Sequence, residues 1–360
     1  MARSTVRRTA AGPGTRRGHR VTQSDVARLA GVSQAVVSMV LTGGADTDRR
    51  MTEATRVRVL EAIEQTGYVA NPMAQRLAGG RTSIIGVYTY EPVFPHSAGD
   101  FYHPFLEGLE GEAQRSGVDL LLFTSFPPQE DGRRLGTTGL RRLQVTDACV
   151  LLGRHSFPED LDALLREDYP FAFIGRRTSP SGTVPYAGAA YNAATREVTE
   201  HLIGLGHRGI ALVTEYTDHE SVEDRDRGYR QAMVAHGLVP VIYEAPDVRA
   251  GGVLEAFAAH GITAAVVTSD LAAQMRLAAV ERGVRVPEDL SIARLGDPER
   301  ADPDGPEWTG FTIPRTRMGA EALRIVLRQL AGETRDLLQV DIPCEVVVGG
   351  TSAPPPPPAG

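Results

Sequence analysis

The chain has 360 residues, 42% of them hydrophobic and 23% charged, a globular composition long enough for two or three domains. No run approaches the roughly 20 apolar residues that a membrane-spanning helix needs, and no apolar segment follows the arginine-rich N-terminus, so a cytoplasmic protein with no membrane partner is expected. The net charge of −7 is uneven: residues 1–82 hold 13 arginines against 6 acidic residues, a net +7, while the remainder carries −14 and lysine is absent throughout. A basic end on an acidic body suits a protein that presents that end to a polyanion. Residues 1–20, rich in Arg, Gly, Thr and Ala, read as a disordered basic tail, and without them the head is nearly neutral, so charge alone does not establish DNA binding.

The first element starts at Thr22, which with Asp25 has the spacing of a capping box; the helix behind it carries Val26, Ala27, Leu29 and Ala30. Gly31 ends it in a tight turn. Ser33 caps a second helix over 34–41, in which Val37, Val40 and Leu41 recur at helical spacing and face inward, leaving Gln34, Ala35, Ser38 and Met39 outward. Two short helices joined through a glycine are the pattern of a helix-turn-helix, although ordinary bundles use it too. A third helix over 52–66, with Val57, Val59, Leu60, Ala62 and Ile63, stops at Gly67 and closes a three-helix head over 21–70. Residues 71–82 follow as a short helix and linker, with Pro72 at its start and two glycines at its end, too short to be stable alone.

The order Val-Thr-x-x-Asp-Val-Ala-x-x-Ala-Gly-Val-Ser and then Gly-Tyr-x-x-Asn-x-x-Ala-x-x-Leu resembles the lactose-repressor (LacI/GalR) family of transcriptional regulators. The resemblance implies a homodimer that binds a palindromic double-stranded DNA operator, with paired hinge helices over 71–79 in the minor groove and Leu77 as an apolar wedge that bends the duplex. It assigns base reading to Gln34, Ala35 and Met39, with Val36 in the same DNA-facing set. Phosphate or cap contacts fall to Thr22, Ser33, Ser38, Asn71 and Ala74. Two departures stand out: Met39 replaces an arginine common in the family, which implies a different operator base there, and the loop over 43–50 is longer and adds Arg49 and Arg50.

After Arg81 the pattern alternates. Strands are predicted over 83–90, 119–124, 148–152 and 171–174 with helices over 103–116, 133–144 and 159–167 between them, then strands over 210–213, 264–268 and 291–295 with helices over 192–204, 221–236 and 271–282. This alternation implies an α/β core of parallel sheets in two lobes with a cleft between them. The resemblance continues through Leu202–Ala211, Arg227-Gly228-Tyr229 and Pro287–Ile292. It implies a core like the periplasmic sugar-binding proteins, crossing between lobes near 183, 313 and 340: a first lobe over 83–182 and 314–340, a second over 183–313 and 341–352, and a last helix over 316–331 back in the first lobe.

By the same resemblance the cleft holds a small-molecule effector, at Tyr102, Phe105, Arg176, Tyr191, Arg227, Asp270 and Asp297. Polar positions that grip sugar hydroxyls in the family are altered, with Ala190-Tyr191 in place of an Asp-Asn pair, Ser269 before Asp270, and Arg294-Leu295-Gly296-Asp297 in place of Gly-Tyr-Asp-Asp. A simple sugar is therefore not expected. The aromatic and arginine residues of the set suit an aromatic or anionic ligand, while Arg176 and Arg227 are equally open to structural ion pairs.

No phosphate loop, nucleophile elbow or metal-spaced His/Cys cluster appears, so no enzyme activity, metal or cofactor is expected. Cys149 and Cys344 read as buried free thiols, His201 and His207 as helix-surface and cap residues, and the proline-rich residues 353–360 as a solvated tail. The expected function is a DNA-binding regulator, with repression as the default outcome. Two alternatives are a solute-binding protein or sugar enzyme with a basic head, and a regulator that no longer answers to a ligand.

Overall fold

The computed structural model of the chain describes residues 21–42, 51–68, 81–91, 99–124, 134–215, 219–244, 252–297 and 305–357. The chain divides into two compact units at Thr82.

The first unit holds α1 (Gln23–Ala30), α2 (Gln34–Thr42) and α3 (Glu53–Thr66). Each boundary has a local cause. The Asp25 carboxylate accepts the Thr22 backbone N–H at 3.0 Å and the Thr22 hydroxyl at 2.7 Å, fixing the start of α1. Gly31 sits at φ +65°, a left-handed conformation that costs glycine nothing, and stops it. The Ser33 Oγ accepts the Val36 N–H at 3.4 Å to begin α2, whose axis turns 106° from that of α1. Thr52 is the cap of α3 rather than its first residue, taking the Thr55 N–H on its hydroxyl. Val26, Ala27, Ala30, Val37, Val59 and Ala62 form the buried core. Leu29, Val57 and Leu60, apolar residues of the same helices, are instead 52%, 42% and 48% exposed. At about 100° per residue, Val57 and Leu60 project away from the Val59–Ala62 stripe. The 43–50 loop and the hinge residues Asn71, Ala74 and Leu77 lie outside the described residues.

The second unit contains two sheets. In the first, β1 (Ile84–Thr89), β2 (Asp119–Phe123), β3 (Ala148–Leu152), β4 (Phe171–Ile174), β5 (Tyr186–Ala189) and β11 (Gln339–Ile342) lie in the order β11-β5-β4-β3-β1-β2, all parallel. In the second, β6 (Ile210–Thr214), β7 (Val241–Glu244), β8 (Ala264–Thr268), β9 (Ser291–Leu295), β10 (Thr309–Thr312) and β12 (Glu345–Val347) lie in the order β12-β10-β9-β8-β6-β7, with only β12 antiparallel. Strands buried on both faces read as continuous apolar runs, and Ala148–Leu152 is buried throughout.

Helices α4 (Gly99–Ser116), α5 (Gly136–Leu143), α6 (Pro158–Arg166) and α11 (Arg315–Leu330) belong to the first lobe; α7 (Tyr191–Gly204), α8 (Glu220–Ala235), α9 (Val253–His260) and α10 (Ser269–Glu281) belong to the second. Close helix contacts depend on missing side chains. A Cβ on Gly108 of α4 would lie 1.9 Å from the Thr316 carbonyl oxygen, and one on Gly228 of α8 would lie 2.2 Å from that of Asn192 at the start of α7.

Sheet membership corrects two lobe crossings. Tyr186–Ala189 and Gln339–Ile342 pair within the first sheet, so the chain crosses near 190 and 343 rather than 183 and 340, while the crossing near 313 stands between β10 and α11. The first is only four residues long and contains Gly188, and the second alternates polar and apolar at a sheet edge, so both carry a weak strand signal. Strands β7, β10 and β12 and helix α9 were likewise not read from the sequence.

The proline-rich end is not simply solvated. His207, 1% exposed, bonds the Ala353 carbonyl through Nε2 at 2.8 Å and the Thr263 hydroxyl through Nδ1 at 2.8 Å. The Ser291 hydroxyl accepts the Ala353 N–H at 3.0 Å, and His201 Nε2 meets the Ser352 hydroxyl at 3.2 Å. His207 is thus a buried anchor for residues 351–353, not a surface cap. Cys149 is buried and Cys344 half-buried, both as free thiols.

Candidate functional site

The DNA-facing set sits on α2 and its entry. Ser33, Gln34 and Ala35 are exposed at the start of α2, and Thr22 is exposed at the start of α1. Gln34 is held in place from α1: its Nε2 donates to the Gln23 Oε1 at 3.4 Å, and the Ser24 hydroxyl donates to its Oε1 at 3.3 Å. Ser38 and Met39 are half-buried, and Val36 packs against the core of the head, so Val36 offers the groove less of its surface than Gln34 and Ala35 do. The exposed residues lie in the first turn of a helix set across another at 106°, an arrangement that lets an N-terminal turn meet base edges in a major groove.

In the second unit a cavity of about 310 Å³ lies between the lobes, at the carboxyl ends of the strands. Tyr102 and Phe105 of α4, 3% and 5% exposed, form its aromatic wall on the first-lobe side. The Tyr102 hydroxyl is committed to the Glu91 carboxylate, which also accepts the Arg154 N–H at 3.1 Å and bonds His155 Nδ1 at 3.0 Å. Burial works to raise the Glu91 pKa, but the hydrogen bonds from Tyr102 and His155, with the His155 charge, hold it below the ordinary glutamate value. Across the mouth, His155 of the first lobe stands edge-on to His219 of the second, with ring centroids 4.7 Å apart.

Tyr191 and Asp297 line the cavity from the second lobe; Asp297 accepts the Ile313 N–H at 2.9 Å and pairs with Arg315 at 3.5 Å. Asp270 lies in α10, but its side chain is outside the described residues; its neighbours Thr268 and Ser269 line the cavity.

Arg176 reaches the cavity but is occupied by an ion pair across the cleft. Its Nε and Nη2 donate to both Asp224 oxygens at 2.8 and 3.0 Å, and Nη2 also to Glu223 at 3.3 Å and the Glu220 carbonyl at 3.2 Å. Beside it Arg177, stacked 4.3 Å over the Phe173 ring, stands 3.5 Å from Glu220, whose carboxylate also accepts the Thr178 N–H at 3.1 Å. Residues 176–178 and the first turn of α8 thus form a latch joining the lobes.

Arg227 does not enter the cavity. It projects from α8 with its side chain 56% exposed, leaning on Asp224 at 3.4 Å. The arginine that lines the cavity is Arg225, two residues earlier and so about 200° round the helix. Arg225 is 8% exposed, its guanidinium lies 4.0 Å over the Tyr191 ring, and it donates to the Ser221 carbonyl at 3.0 Å. The phase was available in the sequence: Gly228 must face α7, and Arg225, three residues before it, shares that face, whereas Arg227 does not. Among the described residues no group of three His, Cys, Asp or Glu could hold a metal, and no single helix is long and apolar enough to cross a membrane.

Residues 22–71 match the lacI family of bacterial regulatory proteins, and residues 199–352 match a periplasmic binding protein-like domain. Residues 22–71 thus carry a DNA-binding head of the lacI family. The chain is 29% identical over 347 residues to the HTH-type transcriptional regulator CelR of Thermobifida fusca, covering 92% of its own length and 98% of CelR. It is 28% identical to catabolite control protein A of Priestia megaterium, covering 90% and 96%. Among solved structures, a CelR–cellobiose complex matches with a TM-score of 0.61 at 26% identity, covering 92% of this chain and all of that one. The lac repressor dimer bound to operator and the anti-inducer ONPF matches with a TM-score of 0.67 over 93% of this chain and all of that one; at 22% identity it speaks to the fold alone. The protein is a DNA-binding transcriptional regulator with a periplasmic binding protein-like core, and these relatives are regulators rather than enzymes.

Proposed function

We propose that this protein is a cytoplasmic repressor of the LacI family that binds a palindromic operator as a homodimer, and that a small molecule in the interlobe cavity modulates its DNA affinity. The observation that carries the reading is the α1–Gly31–α2 corner, with Gln34 and Ala35 exposed at the start of the second helix. In this reading Gln34, Ala35 and Met39 read bases, Thr22, Ser33 and Ser38 position the backbone, and Asn71, Ala74 and Leu77 act in the minor groove once the hinge folds on DNA. Leu277 and Val280, 45% and 61% exposed and one turn apart on α10, supply an apolar patch suited to a dimer contact. Effector contacts fall to Tyr102, Phe105, Tyr191, Asp297 and Arg225, with Arg176 serving lobe closure. Coupling requires that the ligand prefer one lobe arrangement over the other.

The test is selection of bound sequences from a random DNA pool by the purified full-length protein at fixed salt. Enrichment of a palindrome is the expected result; binding that is salt-sensitive but sequence-blind overturns the reading. The latch favours a second reading, a regulator closed without any ligand: if no metabolite changes operator affinity while Arg176→Ala does, that reading replaces the first.

A further inference from the structure

We propose that Gln34 reads one adenine in each operator half-site, and that Gln23 and Ser24 set its amide for that reading before DNA arrives. The inference rests on the reading of α2 as the DNA-facing helix.

Gln23 and Ser24 are the first two residues of α1, and Gln34 is the first of α2. The 106° turn between the helices brings their starts within side-chain reach. The Gln34 Nε2 donates to the Gln23 Oε1 at 3.4 Å, and the Ser24 hydroxyl donates to the Gln34 Oε1 at 3.3 Å. The helices do not need these bonds to stay together. Val26, Ala27, Ala30 and Val37 already pack between them, and hydrogen bonds among exposed groups, which trade against water, add little stability. What the bonds do is orient the amide: a long side chain on a helix surface samples many rotamers, and this one is held at both the nitrogen and the oxygen.

The held amide has a definite remainder. A glutamine amide carries two N–H donors and two acceptor lone pairs. Gln23 takes one donor and Ser24 one lone pair, and the amide makes no other hydrogen bond among the described residues, so one donor and one acceptor are left. In the major groove adenine alone offers the match, an acceptor at N7 beside a donor at N6; guanine presents two acceptors, thymine an acceptor and a methyl group, cytosine a donor. Gln34 is exposed in the first turn of α2, where a recognition helix meets base edges. Its neighbours leave the hydrogen-bond readout of that turn to it: Ala35 brings only a methyl group, and the Ser33 hydroxyl is committed to the Val36 N–H.

The test is selection from a random DNA pool by the full-length protein at fixed salt, followed by titration of the selected duplex and of one carrying 7-deazaadenine, which lacks the N7 acceptor, at the position concerned. The expected result is a palindrome with one adenine per half-site whose preference falls by about fivefold or more in Gln34→Ala. Substitution by 7-deazaadenine should weaken binding by the unaltered protein and leave binding by Gln34→Ala as it was. The double variant Gln23→Ala/Ser24→Ala should lose about three- to tenfold of the same preference, the cost of immobilising a long side chain only on binding, with the other positions of the palindrome kept. Ser24→Thr, which retains the hydroxyl, should hold the preference, whereas a role confined to stability would shift all positions together. Should the double variant fail to fold, Ser24→Ala alone and the 7-deazaadenine duplex carry the test. A palindrome with no adenine that depends on Gln34, an equal effect of 7-deazaadenine on both proteins, or undiminished adenine preference in the double variant each overturns the proposal while the operator reading stands. Sequence-blind binding by the unaltered protein overturns the operator reading and this one with it.

Discussion

His207 shows how one side chain can tie a chain terminus to a lobe. Its Nε2 binds the Ala353 carbonyl, and burial, the main cause, holds its pKa below the ordinary value of 6.5 despite that hydrogen bond. The unfolded chain takes up the proton near 6.5 while the folded one resists it, so the stabilisation is complete above that value and is lost as pH falls below it toward the depressed pKa. His207→Gln should cost about 1–3 kcal/mol at neutral pH through lost buried hydrogen bonds, and the difference should shrink toward about pH 5. Thermal melts of both proteins across that range check this; a gap that does not change with pH would show that His207 does not titrate. In the head, Met39→Arg should enrich guanine at one operator position in the DNA selection, where a bidentate contact is worth about 1–3 kcal/mol of discrimination. An unchanged operator would place Met39 away from the bases.

At the scale of elements, the lobes are joined by a loop and a helix terminus rather than by sheet. Arg176→Ala removes both bonds to Asp224, whose side chain is only 11% exposed and would keep only the longer 3.4 Å contact with Arg227, at a cost of about 1–3 kcal/mol to lobe closure. Hydrogen exchange should then quicken at Thr178, whose N–H is bonded to Glu220 across the cleft; unchanged exchange would mean that other contacts hold the lobes. Packing within a lobe depends on shape instead of charge. Gly228→Ala forces a Cβ to within 2.2 Å of the Asn192 carbonyl, so α7 and α8 must separate, with a loss of about 1–3 kcal/mol in urea denaturation. The glycine was visible within the resemblance as Arg227-Gly228-Tyr229, but its packing role, and the arginine it brings to the cavity, depend on α7, which is not in that segment.

At the scale of the whole molecule, an exposed apolar patch and a divided charge carry the expectations. Val280→Asp on α10 places a charge at a site 61% exposed, where it should leave the fold intact while shifting a dimer toward monomer in sedimentation and weakening operator binding. A dimer that survives it would place the interface elsewhere. The sequence foresaw the two-lobed parallel core and the three-helix head because strand–helix alternation and glycine-terminated helices repeat along it. It missed β5 and β11 because their four-residue runs contain glycine or polar residues that only the neighbouring strands make sense of.

What the sequence determined by itself is what short-range chemistry can encode. The Thr22–Asp25 box, the Gly31 turn and the Ser33 cap each involve residues at most three apart, and they fix the head without reference to the rest of the chain. The tertiary structure decided which arginine faces the cavity, which one locks the lobes and where the proline-rich end lies. Arg176 meets Asp224 across 48 residues and His207 meets Ala353 across 146, so their partners depend on how sheets and helices stack and not on local spacing.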